Sequence, residues 1–178
     1  MAKFNHLGEA QSIRGLAQYT EEVRDRFINL AISYNINIIT GSMPYVKEDG
    51  GLYNVGFLVR RDGTYEMYEK VHVTPDEIKS WGLSGGKMVQ TFDTDCAKIG
   101  ILICYDVEFP ELSRIMADQG MQILFVPFLT DTQNGYSRVR VCAQARAIEN
   151  ECFVAIAGSV GNLPRVHNMD IQYAQSGV

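Results

Sequence analysis

Apolar positions change their period along this chain, and each change marks an element. From Thr20 onward Val23, Phe27, Leu30, Ala31 and Tyr34 recur at helical spacing, with Glu21 and Glu22 suited to the positive end and Thr20 placed to cap it. Asn35 breaks that pattern, and Ile36, Ile38 and Ile39 predict a strand ending at Gly41-Ser42. Two alternating runs, 52–60 and 64–73, flank Arg61-Asp62-Gly63 and predict a hairpin. The stretch 74–88, with Pro75, Gly82, Gly85 and Gly86, reads as a loop. Strands near 89–93 and 98–104 follow, then a helix opened by Pro110, carrying Leu112, Ile115, Met116 and Ala117, and ended by Gly120. A buried strand at 121–128, a helix around 137–149 and a strand at 152–159 complete the pattern. Alternating strands and helices predict an α/β domain with parallel pairing, to which the hairpin adds antiparallel strands.

Length agrees with one domain covering 1–178, and no repeat or linker divides it. Both ends read as cut: no strand precedes the first helix, and a new strand is expected to open near Ile171 just before the chain stops. The expectation is therefore a fragment. Hydrophobic residues at 46% and charged residues at 21% exclude a disordered or fibrous chain. Sixteen Lys and Arg against twenty-one Asp and Glu give a net charge of −5, a poor match to the phosphate backbone of a nucleic acid. No apolar run is long enough for a bilayer and no secretory signal opens the chain, so a cytoplasmic protein is expected.

Cys96, Cys104, Cys142 and Cys152 lack C-x-x-C spacing, and His6, His72 and His167 are scattered, so neither a disulfide framework nor a metal site is expected. The run G-L-S-G-G-K at 82–87 is too short for a phosphate-binding loop, and Met88 stands where that loop needs Ser or Thr. Cys104 is different. It ends an apolar strand and precedes a Pro-started helix, a strand–turn–helix geometry that lifts a nucleophile to the rim of a sheet. An ordinary thiol is only a few per cent thiolate at neutral pH, and making it mostly thiolate needs about 3 kcal/mol from nearby positive charge. Lys70, in a strand whose alternation puts Tyr68, Lys70 and His72 on one face, is a candidate source. A buried structural cysteine and a solvated edge lysine are the bland alternatives.

The motifs Y-E-K-V-H at 68–72 and K-I-G-I-L-I-C-Y-D-V-E-F-P-E at 98–111, with L-Y-N-V-G-F-L-V at 52–59 and A-R-A-I-E-N at 145–150, resemble the nitrilase superfamily of carbon–nitrogen hydrolases. V-P-F-L-T-D at 126–131, G-Y-S-R-V-R at 135–140 and N-M-D-I-Q-Y-A-Q-S at 168–176 further resemble a branch sometimes fused to an acetyltransferase domain. The resemblance implies an α-β-β-α sandwich, here a partial one with a mixed parallel and antiparallel sheet. It also implies hydrolysis of a non-peptide carbon–nitrogen bond in a small amide or nitrile, amides being preferred, through a cysteine thioester and with no cofactor. Cys104 is then the nucleophile, Lys70 the lysine, and the Tyr105 backbone N–H with Lys70 the oxyanion donors. Glu77 in T-P-D-E at 74–77 is the candidate second glutamate, with Asp76 behind it, although a simple helix start explains both. Thr130, Tyr136 and Arg138 are candidate substrate-binding residues. Arg146, Glu149 and Asn150 fit either a surface ion pair or a support near the site. Asp106, Glu108 and Glu111 read as structural carboxylates at a helix amino end.

The family's general-base glutamate, in a strand-ending Pro-Glu upstream, has no counterpart among these motifs. Glu9, Glu21 and Glu22 sit in the wrong context. A fragment lacking that group is expected to be inactive by itself, and its parent to self-associate. Two other functions stay open: an inactive structural or regulatory homologue, and a hydrolase pairing Cys104 with His72 or His167.

Overall fold

The structure, a computed structural model, describes residues 4, 6–163 and 171–178. They fall into two compact units, Met1–Met88 and Val89–Val178.

The first unit opens on α1 (Glu9–Leu16), a 3-10 turn and α2 (Thr20–Tyr34) in one continuous helical run. That continuity changes the role of Thr20: α2 has no open amino end to cap, and the Thr20 hydroxyl donates instead to the Pro44 carbonyl at 2.7 Å. Asn35 ends α2 as expected, taking a left-handed φ of 53°. The strand pattern then resolves into β1 (Ile38–Ile39) and β2 (Met43–Val46), β3 (Leu52–Val59), β4 (Tyr65–Glu69) and β5 (Leu83–Ser84). β3 is central: β1, β2 and β4 pair with it antiparallel and β5 parallel. Its alternate residues Val55, Phe57 and Val59 pack with Ala31 of α2, and Leu52 packs with Ile13, Ala17 and Leu83 under α1. The hairpin turn forms at Arg61-Asp62-Gly63, where Gly63 has φ 87° and the Asp62 carboxylate accepts from the Thr64 backbone N–H.

Gly56 of β3 is confined by contact. A Cβ there would stand 2.0 Å from the Gly41 carbonyl and 2.3 Å from the Tyr68 ring, whose hydroxyl also donates to Gly41 at 2.6 Å. Backbone cannot move aside as a flexible side chain can. Gly56→Ala is therefore expected to lower unfolding stability by about 3 kcal/mol, read from the shift of the urea midpoint.

Two further expectations in this unit change. β4 stops at Glu69 rather than running to Val73, so strand alternation does not place His72 on the face of Lys70. The loop 74–88 contains a π-helical turn, Glu77–Trp81, and β5.

The second unit holds a four-stranded sheet in the order β6 (Thr91–Asp93), β7 (Lys98–Ile101), β8 (Ile123–Phe128) and β9 (Phe153–Gly158). β6 is antiparallel to β7, and the other pairs are parallel. Parallel neighbours require crossovers, supplied by α3 (Pro110–Asp118) and α4 (Gln133–Asn150). Pro110 occupies the first turn of α3, and Gly120 follows its end at φ 89°, both as the sequence predicts. No strand starts at Ile171. Residues 171–178 instead meet β9 through the bridge Ile156–Gly177 and a bond from the Gly158 N–H to Ser176 Oγ. Fold class is thus mixed α/β with parallel and antiparallel pairing. Among the described residues no helix is long and apolar enough to cross a membrane.

Candidate active site

In the second unit β7 delivers the chain to Cys104. Ile99 and Ile101 are buried, and the Leu102 N–H continues the pairing by donating to Phe125 at 3.0 Å. Cys104 then turns sharply with φ 50°, a left-handed value that costs a side-chain-bearing residue energy and must be held by its surroundings. It opens the 3-10 turn Cys104–Glu108, which stands between the strand and α3. The turn is firmly held. Asp106, fully buried, accepts from the Ile103 N–H at 3.2 Å, and Val107 is equally buried. The half-buried Cys104 Sγ lies 3.6 Å from the Leu129 carbonyl beyond the end of β8.

Two of the other thiols are disfavoured as thiolates. Burial, reinforced by the Glu108 charge, pushes the Cys142 thiol above its ordinary pKa, and burial does the same to Cys152. Both are thereby kept protonated. Cys96 is exposed on a turn, and none of the four is disulfide-bonded.

In the first unit Lys70 sits one residue beyond β4. Its N–H donates to Asn54 at 2.9 Å and its carbonyl accepts from Gly86 at 2.8 Å, so both backbone groups are satisfied where the strand ends. Its Nζ meets both Glu77 oxygens, at 2.7 and 2.6 Å, and both residues are buried. The Thr74 N–H adds a bond to Glu77 at 2.7 Å. A buried ammonium held by a two-oxygen contact is a preformed charge rather than a solvated edge residue. The structure thus brings together Lys70 and Glu77, and Asp76 precedes the turn that carries Glu77.

The substrate-binding candidates separate in the second unit. The Thr130 hydroxyl donates to the Tyr173 carbonyl at 2.7 Å, and the Tyr173 N–H returns a bond to Thr130 at 2.8 Å. Tyr136 is buried beside Phe128 and Tyr173, its hydroxyl accepting from Arg140 at 2.8 Å. Arg138 is exposed, with Glu108 at 3.7 Å. His167 lies outside the described residues. Among the described residues no group of three or more His, Cys, Asp and Glu is arranged to hold a metal ion.

Sequence spacing left Arg146 open between surface and support, and the structure decides for support. Arg146 is 5% exposed, and its Nε donates to the Val107 carbonyl at 3.0 Å, inside the turn that carries Cys104. Glu149 pairs with its guanidinium. Asn150 donates to the Arg146 carbonyl at 2.9 Å and to Ser113 Oγ of α3 at 3.4 Å.

The carbon-nitrogen hydrolase family model matches residues 3–176. A probable hydrolase of Bacillus subtilis, YhcX, is 55% identical over 167 residues, covering 94% of this chain and 32% of its own length. The human omega-amidase NIT2 is 33% identical over 153 residues, covering 79% of this chain and 55% of its own. The chain therefore spans about a third to a half of these relatives. Among solved structures, Saccharomyces cerevisiae Nit3, a member of branch 10 of the nitrilase superfamily, superposes with a TM-score of 0.78 at 28% identity, covering 87% of this chain and 56% of Nit3. A mutant amidase from Nesterenkonia sp. AN1, whose active-site cysteine has undergone Michael addition of acrylamide, gives a TM-score of 0.68 at 25% identity over 83% of this chain and 57% of its own. With the family model matched along nearly its whole length and the fold in agreement, the chain belongs to the carbon-nitrogen hydrolase family.

Proposed function

We propose that the protein hydrolyses a small non-peptide amide through a thioester on Cys104, releasing ammonia or an amine. One observation carries the reading: Cys104 holds a left-handed φ of 50° in a partly buried, hydrogen-bonded turn just beyond β7, an interior strand of its sheet. Such strain persists where a side chain must be aimed. The family supports the cysteine chemistry, and the amidase relatives support an amide as substrate.

In the proposed reaction the Cys104 thiolate forms a carbon–sulfur bond to the amide carbonyl carbon, and the carbonyl electron pair moves to oxygen. The Tyr105 N–H and the Lys70 ammonium stabilise that oxyanion, in the manner of a preorganised donor pair. Glu77, bonded to Lys70, holds the lysine in place. When the oxyanion collapses, the carbon–nitrogen bond breaks and the amine leaves with a proton from a general acid. Water then attacks the thioester, gives its proton to the same group, and returns Cys104 as thiolate. That acid–base group is the upstream glutamate of the family, for which this chain shows no matching motif. Thr130, Tyr136 and Arg138 are proposed to shape the substrate end of the site.

The test is ammonia release by the full-length protein from a panel of small aliphatic amides and dicarboxylic acid monoamides. Release from at least one amide, lost in Lys70→Ala and kept in His72→Ala, is the expected result. Full activity in Lys70→Ala with none in His72→Ala gives the reaction to a cysteine–histidine pair instead. No release from any member of the panel favours an inactive structural homologue.

A further inference from the structure

The strained cysteine needs something to hold it, and two buried charged side chains meet its turn at opposite ends. At the entry, Asp106 takes the N–H of Ile103, the residue immediately before Cys104, at 3.2 Å. At the exit, Arg146 Nε donates to the Val107 carbonyl at 3.0 Å. Neither contact is casual. Asp106 is fully buried and Arg146 5% exposed, and charged groups are placed in such surroundings only when their polar atoms are satisfied. The final carbonyls of a helical turn lack partners within it, so a cation at Val107 fills a real vacancy. Arg146 is itself tied down. Glu149 takes its Nη1, Asn150 holds its carbonyl while reaching Ser113, and Arg114 of α3 donates to the Glu149 carbonyl at 2.7 Å.

We infer that Asp106 and Arg146 are positioning residues, a two-ended clamp that keeps the Cys104 turn in its left-handed conformation and so keeps the sulfur aimed for attack. Arg146 touches neither the sulfur nor substrate in this role; it acts through the Val107 peptide. The inference rests on Cys104 being the nucleophile. It adds that the nucleophile's conformation is set from α4, some forty residues further along the chain.

The experiment compares Arg146→Met, Arg146→Lys and Asp106→Asn in the full-length protein. It measures kcat and KM for ammonia release, alkylation of Cys104 by iodoacetamide from pH 5 to 10 by peptide mass spectrometry, and the thermal midpoint. Loss of the Val107 contact misplaces the sulfur, and a misplacement of about 1 Å is worth about 100-fold in rate. Arg146→Met is thus expected to lower kcat about 100-fold with KM within about threefold, and to move half-maximal Cys104 alkylation to higher pH, while alkylation of exposed Cys96 stays unchanged. Arg146→Lys, whose ammonium reaches the carbonyl but cannot fork to Glu149, is expected to lie about 10-fold below the unaltered protein. Asp106→Asn, which keeps one acceptor oxygen, is expected to behave like it.

A folded Arg146→Met protein with unchanged kcat and alkylation overturns the clamp. So does a loss of thermal stability, equal in the Met and Lys variants, with the alkylation profile unmoved, since that is what a merely structural arginine gives. If Arg146→Met does not fold, Arg146→Lys decides alone: kcat equal to the unaltered protein's overturns the inference. Alkylation needs no substrate, so the clamp is judged even if Cys104→Ala retains turnover, a result that instead removes the proposed reaction.

Discussion

Cys104→Ala is expected to reduce ammonia release by at least about 10⁴-fold, with little change in the thermal midpoint. The sulfur is half-buried and its neighbours, Asp106 and Val107, are locked independently of it, so removing one atom leaves the turn intact. Removing the covalent step does not. Without a carbon–sulfur bond the amide must be attacked by water directly, and the donors that stabilise the oxyanion cannot replace the missing nucleophile. The control is already in the chain. Cys142→Ala and Cys152→Ala are expected to retain kcat within about twofold, because burial holds both thiols protonated and weakly nucleophilic. A loss in Cys142→Ala matching that in Cys104→Ala would move the chemistry to α4.

Lys70→Met is expected to be the most destabilising single change, lowering the unfolding free energy by about 3–5 kcal/mol. The methionine fills the lysine's volume, so the penalty comes from charge rather than packing. Glu77 is left buried with the Thr74 N–H but without its cation. Adding Glu77→Leu to Lys70→Met is expected to recover most of that loss, leaving about 1 kcal/mol for the unanswered Thr74 N–H. Urea unfolding of the two single variants, the double variant and the unaltered protein gives the coupling directly, provided the slopes agree. Additive effects would mean that the pair is not coupled. Activity is expected to behave differently. The double variant regains stability but not turnover, because the proposed oxyanion donor is still absent.

Local pattern carried much of this architecture. Asn35, the Asp62-Gly63 turn, Pro110 and Gly120 each do what their backbone preferences dictate, and Cys104 stands at the strand end where apolar periodicity fails. The strand pattern marks Lys70 as a candidate cation and resemblance points to Glu77, and the structure joins them by direct contact within one unit. What local pattern missed depends on distant partners. β4 ends at Glu69 because Lys70 divides its backbone bonds between Asn54 and Gly86, neither of them near in sequence. Thr20 looked like a cap only while the helical run before it was unrecognised. Arg146 gave the same i, i+3 signal as an exposed ion pair, and only the Val107 carbonyl, thirty-nine residues back, distinguishes them. The helix ending at Asn150 also began four residues earlier than its apolar pattern suggested, since the Thr132 hydroxyl accepts from the Gly135 N–H and caps it ahead of any apolar repeat.

The central proposal is a carbon–sulfur bond at one position, and peptide mass spectrometry of an acid-quenched reaction observes that bond. With a slowly hydrolysed amide in excess, the full-length protein is predicted to gain the mass of one acyl group on the peptide containing Cys104, lost again on treatment with hydroxylamine. Turnover with that peptide unmodified, or with the acyl group on Cys96, Cys142 or Cys152, would contradict the account.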